Sequence, residues 1–428
     1  MVGLFPYQVM GATALSLARR LYLGDEPGLG KTRTVLHAAE TAGVSALHVL
    51  CPAVVREHWK REHAALGYSY ALRVESYQRY VVSEKARQEL QWHAGNVALA
   101  LDEAHFLKHS SSRRTRLILG TGTGLAHGYH YVWPLSGTPV PRNPAEIFPI
   151  MLALWPERLK AAGVSTYMSF LNRFCQWRAT TYGPRIYGLR NAEELRALIK
   201  PVMFRRLVKD VLPDLPPLRW GVVTISAAPT ALEEVYRLEQ LPSIARLHRQ
   251  LNLVGQLPPA DENIARYRHA VGDAKAPAAA ELIASELEAE PGSKRVVFAY
   301  HRSVLDTLQA ALEKYNVVRV DGDVPQSKRA GLVEYFAHGA ARVFLGQLQA
   351  CATGLDGLQY GSHDAVLVEP DWATDVNVQA GRRVTRIGST LPGLARMLAL
   401  AGTLDEAIVK NHYREVQMVQ QALEEEES

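Results

Sequence analysis

Residues 25–32 read Asp-Glu-Pro-Gly-Leu-Gly-Lys-Thr, and residues 102–105 read Asp-Glu-Ala-His. Each of the two segments follows a short apolar run that is typical of a buried strand. In the first segment, Gly28 and Gly30 allow a tight turn whose backbone N–H groups would face phosphate oxygens at the start of a helix. A phosphate loop followed by an acidic box predicts an α/β fold built around a nucleotide.

Four side chains of these segments are the candidates for catalysis. Lys31 would reach the β and γ phosphates of the nucleotide, and the Thr32 hydroxyl would ligate Mg²⁺. Asp102 would hold the same Mg²⁺, while Glu103 would position or deprotonate the attacking water. The sequence therefore predicts an enzyme that hydrolyses ATP with Mg²⁺ as its cofactor.

Asp25 departs from the usual phosphate-loop pattern, which has a glycine five residues before its second glycine. Taken alone, the first segment also fits a glycine-rich turn that caps an ordinary helix. Four residues such as Asp-Glu-Ala-His also arise by chance on solvated loops. Both segments occur in this order, each behind a strand pattern, and that combination favours the nucleotide site.

The composition is that of an ordinary globular protein. The chain has 428 residues, of which 47% are hydrophobic and 21% charged, enough for two or three domains with buried cores. The net charge of +5 and the pI near 9.0 are compatible with an anionic partner such as nucleic acid. The three cysteines are widely spaced and odd in number, which argues against disulfides and against a zinc site.

The N-terminal segment lacks the basic and apolar regions of a signal peptide. No stretch of the sequence is apolar over the length that a membrane span requires. We therefore expect a cytoplasmic protein without a membrane partner.

Strand-like runs alternate with helical patterns along the chain, as in parallel α/β proteins. The first half has candidate strands at Leu21–Leu23, Leu47–Cys51, Leu72–Glu75, Val97–Leu101 and Tyr131–Leu135. The second half has candidate strands at Arg295–Tyr300, Val317–Val320, Arg342–Leu345, Ala365–Val368 and Met397–Leu400. Two α/β lobes are the natural division, residues 1–215 and residues 216–428.

The stretch between the two sets of strands is mostly helical in pattern, apart from a strand at Val222–Ile225. We expect a helical protrusion at about residues 151–212 and a helical insertion at about residues 228–288. The prolines between Leu212 and Leu218 exclude a continuous helix and predict the inter-lobe hinge. The clearest helical spacing covers Leu195–Lys209 and Leu232–Val254.

In their order along the chain, these motifs resemble those of the Swi/Snf-type ATPases of helicase superfamily two. The most specific piece is Leu101–Arg116, which resembles the family's extended acidic box. Gln8 lies in a segment similar to the family's adenine-recognition element, and residues 136–139 match its coupling element, Ser-Gly-Thr-Pro. The resemblance covers nearly the whole chain and implies two tandem RecA-like parallel-sheet lobes with helical insertions between them.

Further motifs of the same family follow in the second half. Residues 204–212 resemble an Arg-Arg-x-x-x-Asp-Val segment that runs into a proline-rich joint. Residues 352–358 resemble a Gly-Leu-Asn-Leu element, which implies a place for Gly354 near the nucleotide, and Asp356 stands where asparagine is usual. Residues 379–388 resemble the final motif, Gln-x-x-x-Arg-x-x-Arg-x-Gly.

Gln379, Arg383 and Arg386 are spaced at i, i+4 and i+7, so a helix would present all three on one face. The resemblance implies that this face lies across the bound ATP from Lys31. A guanidinium there would stabilise the charge that spreads over the transferring phosphoryl group. Arg382, about 100° around such a helix from its neighbour, would point elsewhere.

The resemblance also implies that DNA is the track. Arginine and lysine carry charges suited to phosphate oxygens, although the same residues fit a solvated helix face. His105 would couple the ATP site to the DNA side. The candidate DNA contacts are Lys108, Arg113, Arg114, Ser136, Thr138, His301 and Arg302.

Three residues depart from the family pattern. Thr385 and Ser389 stand where His and Gln are common, and Asp356 adds a carboxylate close to the expected phosphates. None of them removes an obligatory catalytic group, so activity is expected, with weaker coupling to the nucleotide as an open alternative.

The resemblance implies an ATP-dependent translocase on duplex, forked or branched DNA, without sequence preference. It leans toward the branch that remodels forks and anneals strands, by branch migration, fork reversal or displacement of bound proteins. Two alternatives stay open: an RNA helicase of the DEAH-box type, and a low-turnover DNA-binding subunit of a defence or restriction assembly. We expect a monomer from a bacterial or phage-infected cell, with substrate choice supplied by the core or by a partner protein.

Overall fold

The computed structural model of the chain describes residues 3–91, 96–137, 144–180, 183–247, 262–351, 355–372 and 374–424. It divides into two compact units, Met1–Val211 and Leu212–Ser428. Each unit contains a parallel sheet with helices packed against it, which confirms the predicted fold class of two parallel-sheet α/β lobes.

In the described residues of the first unit, strands form at each of the five predicted apolar runs and at three further places. They are β1 (Tyr22–Leu23), β2 (Ala46–Cys51), β3 (Ala71–Ser76), β4 (Val97–Leu101), β5 (Tyr131–Pro134), β6 (Cys175–Thr180), β7 (Gly183–Leu189) and β8 (Met203–Phe204). In the described residues β3, β2, β4 and β5 pair in that order. Bridges from Arg20 to Val132 and from Leu23 to Leu135 add β1 beside β5, and β8 pairs with β1.

This strand order decides where the motifs lie. The segments that follow β1, β4, β5 and β8 all leave the carboxyl edge of the same parallel set. Ligands of open α/β sheets bind at this edge. The phosphate loop, the acidic box and the segment after β5 are therefore neighbours in the fold.

Helices of the first unit cover the sheet and form the region between β5 and β8. The helix Lys31–Thr41 buries Val35, Leu36 and Ala39, the residues whose spacing predicts it. The helices are Pro6–Leu17, Lys31–Thr41, Arg56–Leu66, Tyr77–Val82, Glu84–Gln91, Arg113–Leu119, Phe148–Leu154, Pro156–Ala161, Tyr167–Phe174, Ala192–Ile199 and Val208–Val211.

The stretch after residue 151 contains, besides its helices, an antiparallel hairpin of β6 and β7 that the sequence does not predict. One expectation for this region is wrong. The predicted helix Leu195–Lys209 ends at Ile199, just before Pro201, which cannot continue a helix. The chain then forms β8, where pairing with β1 overrides the local helical spacing.

The second unit contains a wholly parallel sheet. Its strands are β9 (Leu218–Ile225), β10 (Arg295–Ala299), β11 (Val317–Val320), β12 (Val343–Gln347), β13 (Asp364–Leu367) and β14 (Gly393–Leu400). In the described part of the chain they pair in the order β11-β12-β10-β13-β14-β9. Every strand predicted for this half is present, and the strand predicted at Val222–Ile225 is the end of β9.

The longest helix of the second unit is Glu262–Ala289, in which the buried Lys275 ammonium lies 3.1 Å from the Asp405 carboxylate. The stretch Leu232–Val254 is helical to Glu239 and again at residues 242–247, and residues 248–254 lie outside the described residues. No helix in the described ranges has the length and apolarity to cross a membrane. The helices are Pro229–Glu239, Glu262–Ala289, Arg302–Leu312, Gln326–His338, Leu348–Cys351, Thr374–Gly381 and Leu404–Glu424.

Candidate nucleotide site

The phosphate loop connects β1 to the helix Lys31–Thr41. Gly28 and Gly30 have φ angles of 96° and 73°, in the left-handed region that favours glycine. Gly30 is also the N-cap of the helix, and a Cβ added there would collide with the side-chain amide of Gln8. Lys31 and Thr32 begin the helix, where backbone N–H groups lack partners inside the helix. This donor set fits the oxygens of a phosphate group.

The Lys31 ammonium folds back over its own loop. It donates to the carbonyl oxygens of Asp25 at 2.8 Å and Glu26 at 3.3 Å. Burial lowers the pKa of Lys31, and the charges of Glu103, Asp25 and Asp102 act in the opposite direction. The lysine of the loop is thus coupled electrostatically to both acids of the acidic box.

Gln8 ties the N-terminal segment to the phosphate loop. Its side chain is buried, its Oε1 accepts from the Phe5 backbone N–H at 3.0 Å, and its Nε2 donates to the Leu29 carbonyl at 3.2 Å. The rings of Phe5 and Tyr7 stack with centroids 5.6 Å apart. The predicted adenine-recognition segment therefore lies directly against the loop, and the contact of Gln8 with adenine stays a prediction.

Asp102 follows β4 and is held by donors from three directions. The Trp59 indole Nε1 donates to Oδ2 at 2.8 Å, and the Glu103 backbone N–H donates to Oδ1 at 3.0 Å. The Tyr77 hydroxyl donates to the Asp102 carbonyl oxygen at 2.8 Å. Burial and the Glu103 charge raise the pKa of Asp102 to about 6, against the opposing effect of the Trp59 hydrogen bond.

Glu103 is the second residue of the acidic box. Its φ angle of 49° is in the left-handed region, which is uncommon for a residue other than glycine. The Nδ1 atom of His105 lies 3.2 Å from Glu103 Oε2 and 3.0 Å from Ser136 Oγ. His105 therefore bridges the acidic box and the residue that follows β5.

Ser136 is fully buried, which places it inside the unit rather than on a surface that DNA can reach. The expectation of a DNA contact by this side chain is therefore corrected to a contact with His105. Thr138 and Gly354, also predicted as site residues, lie outside the described residues.

The basic residues beyond the acidic box have different surroundings. The Lys108 ammonium lies 3.3 Å from the carboxylate of the buried Glu146. Arg113, the first residue of its helix, is exposed. The Arg114 guanidinium lies over the rings of Tyr77 and Phe106, 5.6 Å and 5.5 Å from their centroids. Of the three, Arg113 has the exposure that a phosphate contact requires.

The carboxylate of Asp25, the residue that departs from the usual loop pattern, is fully buried. Arg206 lies just beyond β8, and its Nε donates to Asp25 Oδ1 at 3.0 Å. Neither the spacing of the motifs nor the composition brings these two residues together, because 181 positions separate them.

In the second unit, the final motif does not form one helical face. The helix Thr374–Gly381 contains Gln379, but residues 382–388 are turns and bends. Gly381 packs on the Trp220 indole, and a Cβ there would lie 2.5 Å from the ring. The backbone N–H of Arg383 bonds the carbonyl of Ala380, an i to i−3 contact typical of a tightened helix end. The predicted shared face of Gln379, Arg383 and Arg386 is therefore wrong.

The two arginines of this motif have different partners. Arg383 is buried, and its guanidinium donates to the carbonyl oxygen of Leu355. Arg386 donates from Nε to the Arg382 carbonyl at 3.2 Å and from Nη1 to Asp356 Oδ1 at 3.0 Å. The carboxylate that replaces the usual asparagine is thus an ion-pair partner of a candidate catalytic arginine.

His301 and Arg302, two predicted DNA contacts, are paired within the second unit. His301 Nδ1 lies 2.7 Å from Oε1 of the buried Glu369. Arg302 forms a forked pair with Asp323, at 2.6 Å and 2.8 Å. The Arg302 pair is solvent-exposed, so phosphate oxygens can compete for this arginine.

Two profiles of protein families match consecutive parts of the chain. The SNF2-related domain matches residues 65–250, and the helicase conserved C-terminal domain matches residues 275–388.

Curated relatives match over most of this chain but over less of their own length. A SWI/SNF-related matrix-associated actin-dependent regulator of chromatin subfamily A-like protein 1 homolog of Caenorhabditis elegans is 28% identical, covering 95% of this chain and 60% of that protein. The DNA annealing helicase and endonuclease ZRANB3 of Homo sapiens is 28% identical, covering 71% of this chain and 28% of that protein. A solved Sulfolobus solfataricus SWI2/SNF2 ATPase core in complex with dsDNA covers 96% of this chain and 90% of its own, at 19% identity and a TM-score of 0.43.

Proposed function

Because this chain belongs to the SNF2-type ATPases of helicase superfamily two, we propose that it is an ATP-dependent translocase on double-stranded or branched DNA. It remodels DNA by branch migration, fork reversal or strand annealing, or it displaces bound proteins. Relatives named as a DNA annealing helicase support the fork-remodelling branch. The chain spans 60% and 28% of the length of the two curated relatives described above, so its activity is inferred from its own site.

The observation that carries the proposal is the grouping of Lys31, Asp102 and Glu103 at the carboxyl edge of one parallel sheet. The N–H groups at the start of the helix Lys31–Thr41 and the Lys31 ammonium bind the phosphates. The oxygens of Thr32 and Asp102 are the hard ligands that Mg²⁺ takes, and the ion offsets phosphate charge when bound. Glu103 then orients the attacking water and takes its proton.

The position of His105 Nδ1, close to both Glu103 and Ser136, supports a second part of the proposal. His105 connects the group that contacts the water to the segment after β5. A change at the γ phosphate that moves Glu103 also moves its partner His105. Coupling of this kind, in which a phosphate contact orders a neighbouring segment, is a known type of nucleotide switch.

The family resemblance, rather than the geometry of either unit, supports a role for the second unit. On this proposal Arg383 and Arg386 act on the same ATP as Lys31, and Gln379 contacts the nucleotide. DNA binds through basic side chains such as Arg113, without sequence preference, and the affinity falls steeply with salt because counterions are released. The chain acts as a monomer.

A panel of ATPase rates tests the proposal. The wild type and Lys31→Ala are assayed with no polymer, single-stranded DNA, duplex DNA, forked DNA, four-way DNA and RNA. We expect duplex and branched DNA to stimulate the wild type and Lys31→Ala to be inactive with all of them. Stimulation by RNA alone would indicate an RNA helicase, and a slow rate that no polymer changes would indicate a binding subunit.

A further inference from the structure

We propose that Arg206 is a positioning residue for the phosphate loop, and that it acts through Asp25. The proposal rests on the ATP site described above and adds to it the element that fixes the shape of the loop. It also explains why aspartate is acceptable at a position where other phosphate loops have glycine.

Asp25 and Arg206 form a buried ion pair. The Asp25 side chain is 0% exposed and the Arg206 side chain is 10% exposed. The guanidinium binds the carboxylate in a fork, with Nε donating to Oδ1 at 3.0 Å and Nη2 donating to Oδ2. A buried carboxylate that loses its partner is strongly destabilising, so the two residues depend on each other.

The Arg206 guanidinium also contacts the N-terminal helix and β8. Its Nη1 donates to the carbonyl oxygen of Tyr7, and the group lies 5.2 Å from the Tyr7 ring centroid and 4.7 Å from that of Phe204. A Cβ added at Gly11 would run into the guanidinium. Arg206 therefore joins the N-terminal helix, the phosphate loop and β8 at one point.

The backbone that leads into the phosphate loop is hydrogen-bonded to the end of β8 and to the residues after it. The Gly24 N–H donates to the Phe204 carbonyl at 2.8 Å, and the Glu26 N–H donates to the Arg206 carbonyl at 3.1 Å. The Val208 N–H donates to Glu26 Oε2 at 2.6 Å. Residues 24–26 are thus bonded along their length to the segment that follows β8.

The consequence for the nucleotide follows from the position of Lys31. Its ammonium is held by the carbonyl oxygens of Asp25 and Glu26, the residues that the segment after β8 fixes. A loop that is already ordered loses less conformational freedom when it binds a ligand. Loss of the Asp25–Arg206 pair should therefore weaken ATP binding, while the groups that act on the bound ATP stay in place.

The experiment is a double-substitution cycle with Arg206→Gln, Asp25→Asn and the two combined, plus Arg206→Lys. The Kd of a fluorescent ATP analogue, the KM and kcat of ATP hydrolysis and the thermal midpoint are measured for each. We expect each single substitution to raise Kd and KM by about tenfold or more, with kcat at saturating ATP within about threefold. The combined variant should be no worse than Arg206→Gln, because both changes remove the same pair.

Arg396→Gln is the matched control. The Arg396 side chain is 12% exposed and is held by Glu286 and Asp364 at 2.8 Å and 2.7 Å, in the second unit. The substitution Arg396→Gln should lower the thermal midpoint without changing the Kd of the nucleotide. Arg206→Lys keeps the charge but not the fork, so it should fold and bind ATP with an intermediate Kd.

The outcomes separate this inference from the proposed function. If Arg206→Lys and Asp25→Asn bind the analogue as tightly as the wild type, or if Arg206→Gln loses only thermal stability as Arg396→Gln does, Arg206 is purely structural and the inference is wrong. If the wild type itself binds no ATP, the proposed function is wrong. Additive losses in the combined variant would show that Arg206 does not act through Asp25.

Discussion

The substitution Trp59→Phe tests the hydrogen bond from the Trp59 indole to the Asp102 carboxylate. In the wild type the indole Nε1 donates to Asp102 Oδ2 at 2.8 Å, and the Trp59 side chain is fully buried. Phenylalanine keeps an aromatic ring at this position but has no N–H group. The substitution therefore removes the donor and leaves the carboxylate in the same buried setting.

The expected size of the effect can be worked from the pKa of Asp102, which burial and Glu103 raise to about 6. A hydrogen bond to a charged group contributes about 1.5–3 kcal/mol, and one pKa unit corresponds to about 1.36 kcal/mol. Because the indole favours the ionised form, its loss should raise the pKa of Asp102 by about 1 to 2. Protonated Asp102 cannot ligate Mg²⁺. At pH 7 the fraction of Asp102 that is protonated would then grow from about a tenth to half or more.

The assay is kcat/KM for ATP hydrolysis between pH values of about 5.5 and 9, at fixed Mg²⁺. Activity needs the ionised carboxylate, so activity is lost as the pH falls through the pKa of Asp102. In Trp59→Phe the acid limb of the pH profile should therefore lie at higher pH than in the wild type. Raising the Mg²⁺ concentration should partly restore activity, because the metal competes with the proton.

Trp133→Phe is the control for this substitution. Trp133 is also fully buried in the first unit, and its Nε1 donates to the neutral carbonyl oxygen of Leu15 at 3.1 Å. Trp133→Phe loses a similar side-chain volume and one hydrogen bond. The acid limb of its pH profile should stay at the wild-type position. Coincident acid limbs for Trp59→Phe and the wild type, or an equal shift in Trp133→Phe, would refute the role given to the indole.

Four other substitutions test the acidic box, the arginines of the second unit and Asp356. Glu103→Gln should bind ATP as the wild type does while phosphate release stops; a normal rate would show that the acidic box is wrongly assigned. Arg386→Ala should bind ATP nearly normally and hydrolyse it about 10³- to 10⁵-fold more slowly. Arg382→Ala should retain most activity, since Arg386 donates to the backbone carbonyl of Arg382, which alanine keeps; equal losses would contradict this. Asp356→Asn should raise turnover without DNA by up to about fivefold, because an exposed ion pair contributes at most about 1 kcal/mol; an unchanged rate would show that Asp356 does not restrain Arg386.

Most strands of the parallel sheets could be predicted from the sequence because parallel strands are buried on both faces and leave continuous apolar runs. Val97–Leu101 is the clearest case, since all five residues are buried and the observed strand has the predicted bounds. The turn of the phosphate loop was also predictable, because the left-handed φ angles of Gly28 and Gly30 are a property that glycine supplies locally.

Contacts between distant parts of the chain limit what the sequence reveals about the site. The spacing of residues 379–386 suits a helix. The observed helix nevertheless ends at Gly381, which packs against Trp220 of strand β9. Nothing in the sequence pattern around Trp59 shows that its indole reaches Asp102, 43 residues away. An unusual acid in a glycine-rich motif is the one local signal, since a buried aspartate requires a cation from elsewhere.

The two aspartates that depart from the usual motifs have the same kind of partner and opposite consequences. Asp25 is fully buried with Arg206, and breaking a buried pair costs about 3–5 kcal/mol, so this pair is a permanent part of the loop. The Asp356 side chain is 69% exposed, and a pair such as Asp356–Arg386 contributes about 0–1 kcal/mol. On the proposed function, the phosphates of ATP carry more negative charge than one carboxylate and can take Arg386 from Asp356 when ATP is bound. The difference in burial therefore decides the role of each aspartate. Buried Asp25 fixes the phosphate loop, whereas exposed Asp356 releases Arg386 when the nucleotide binds.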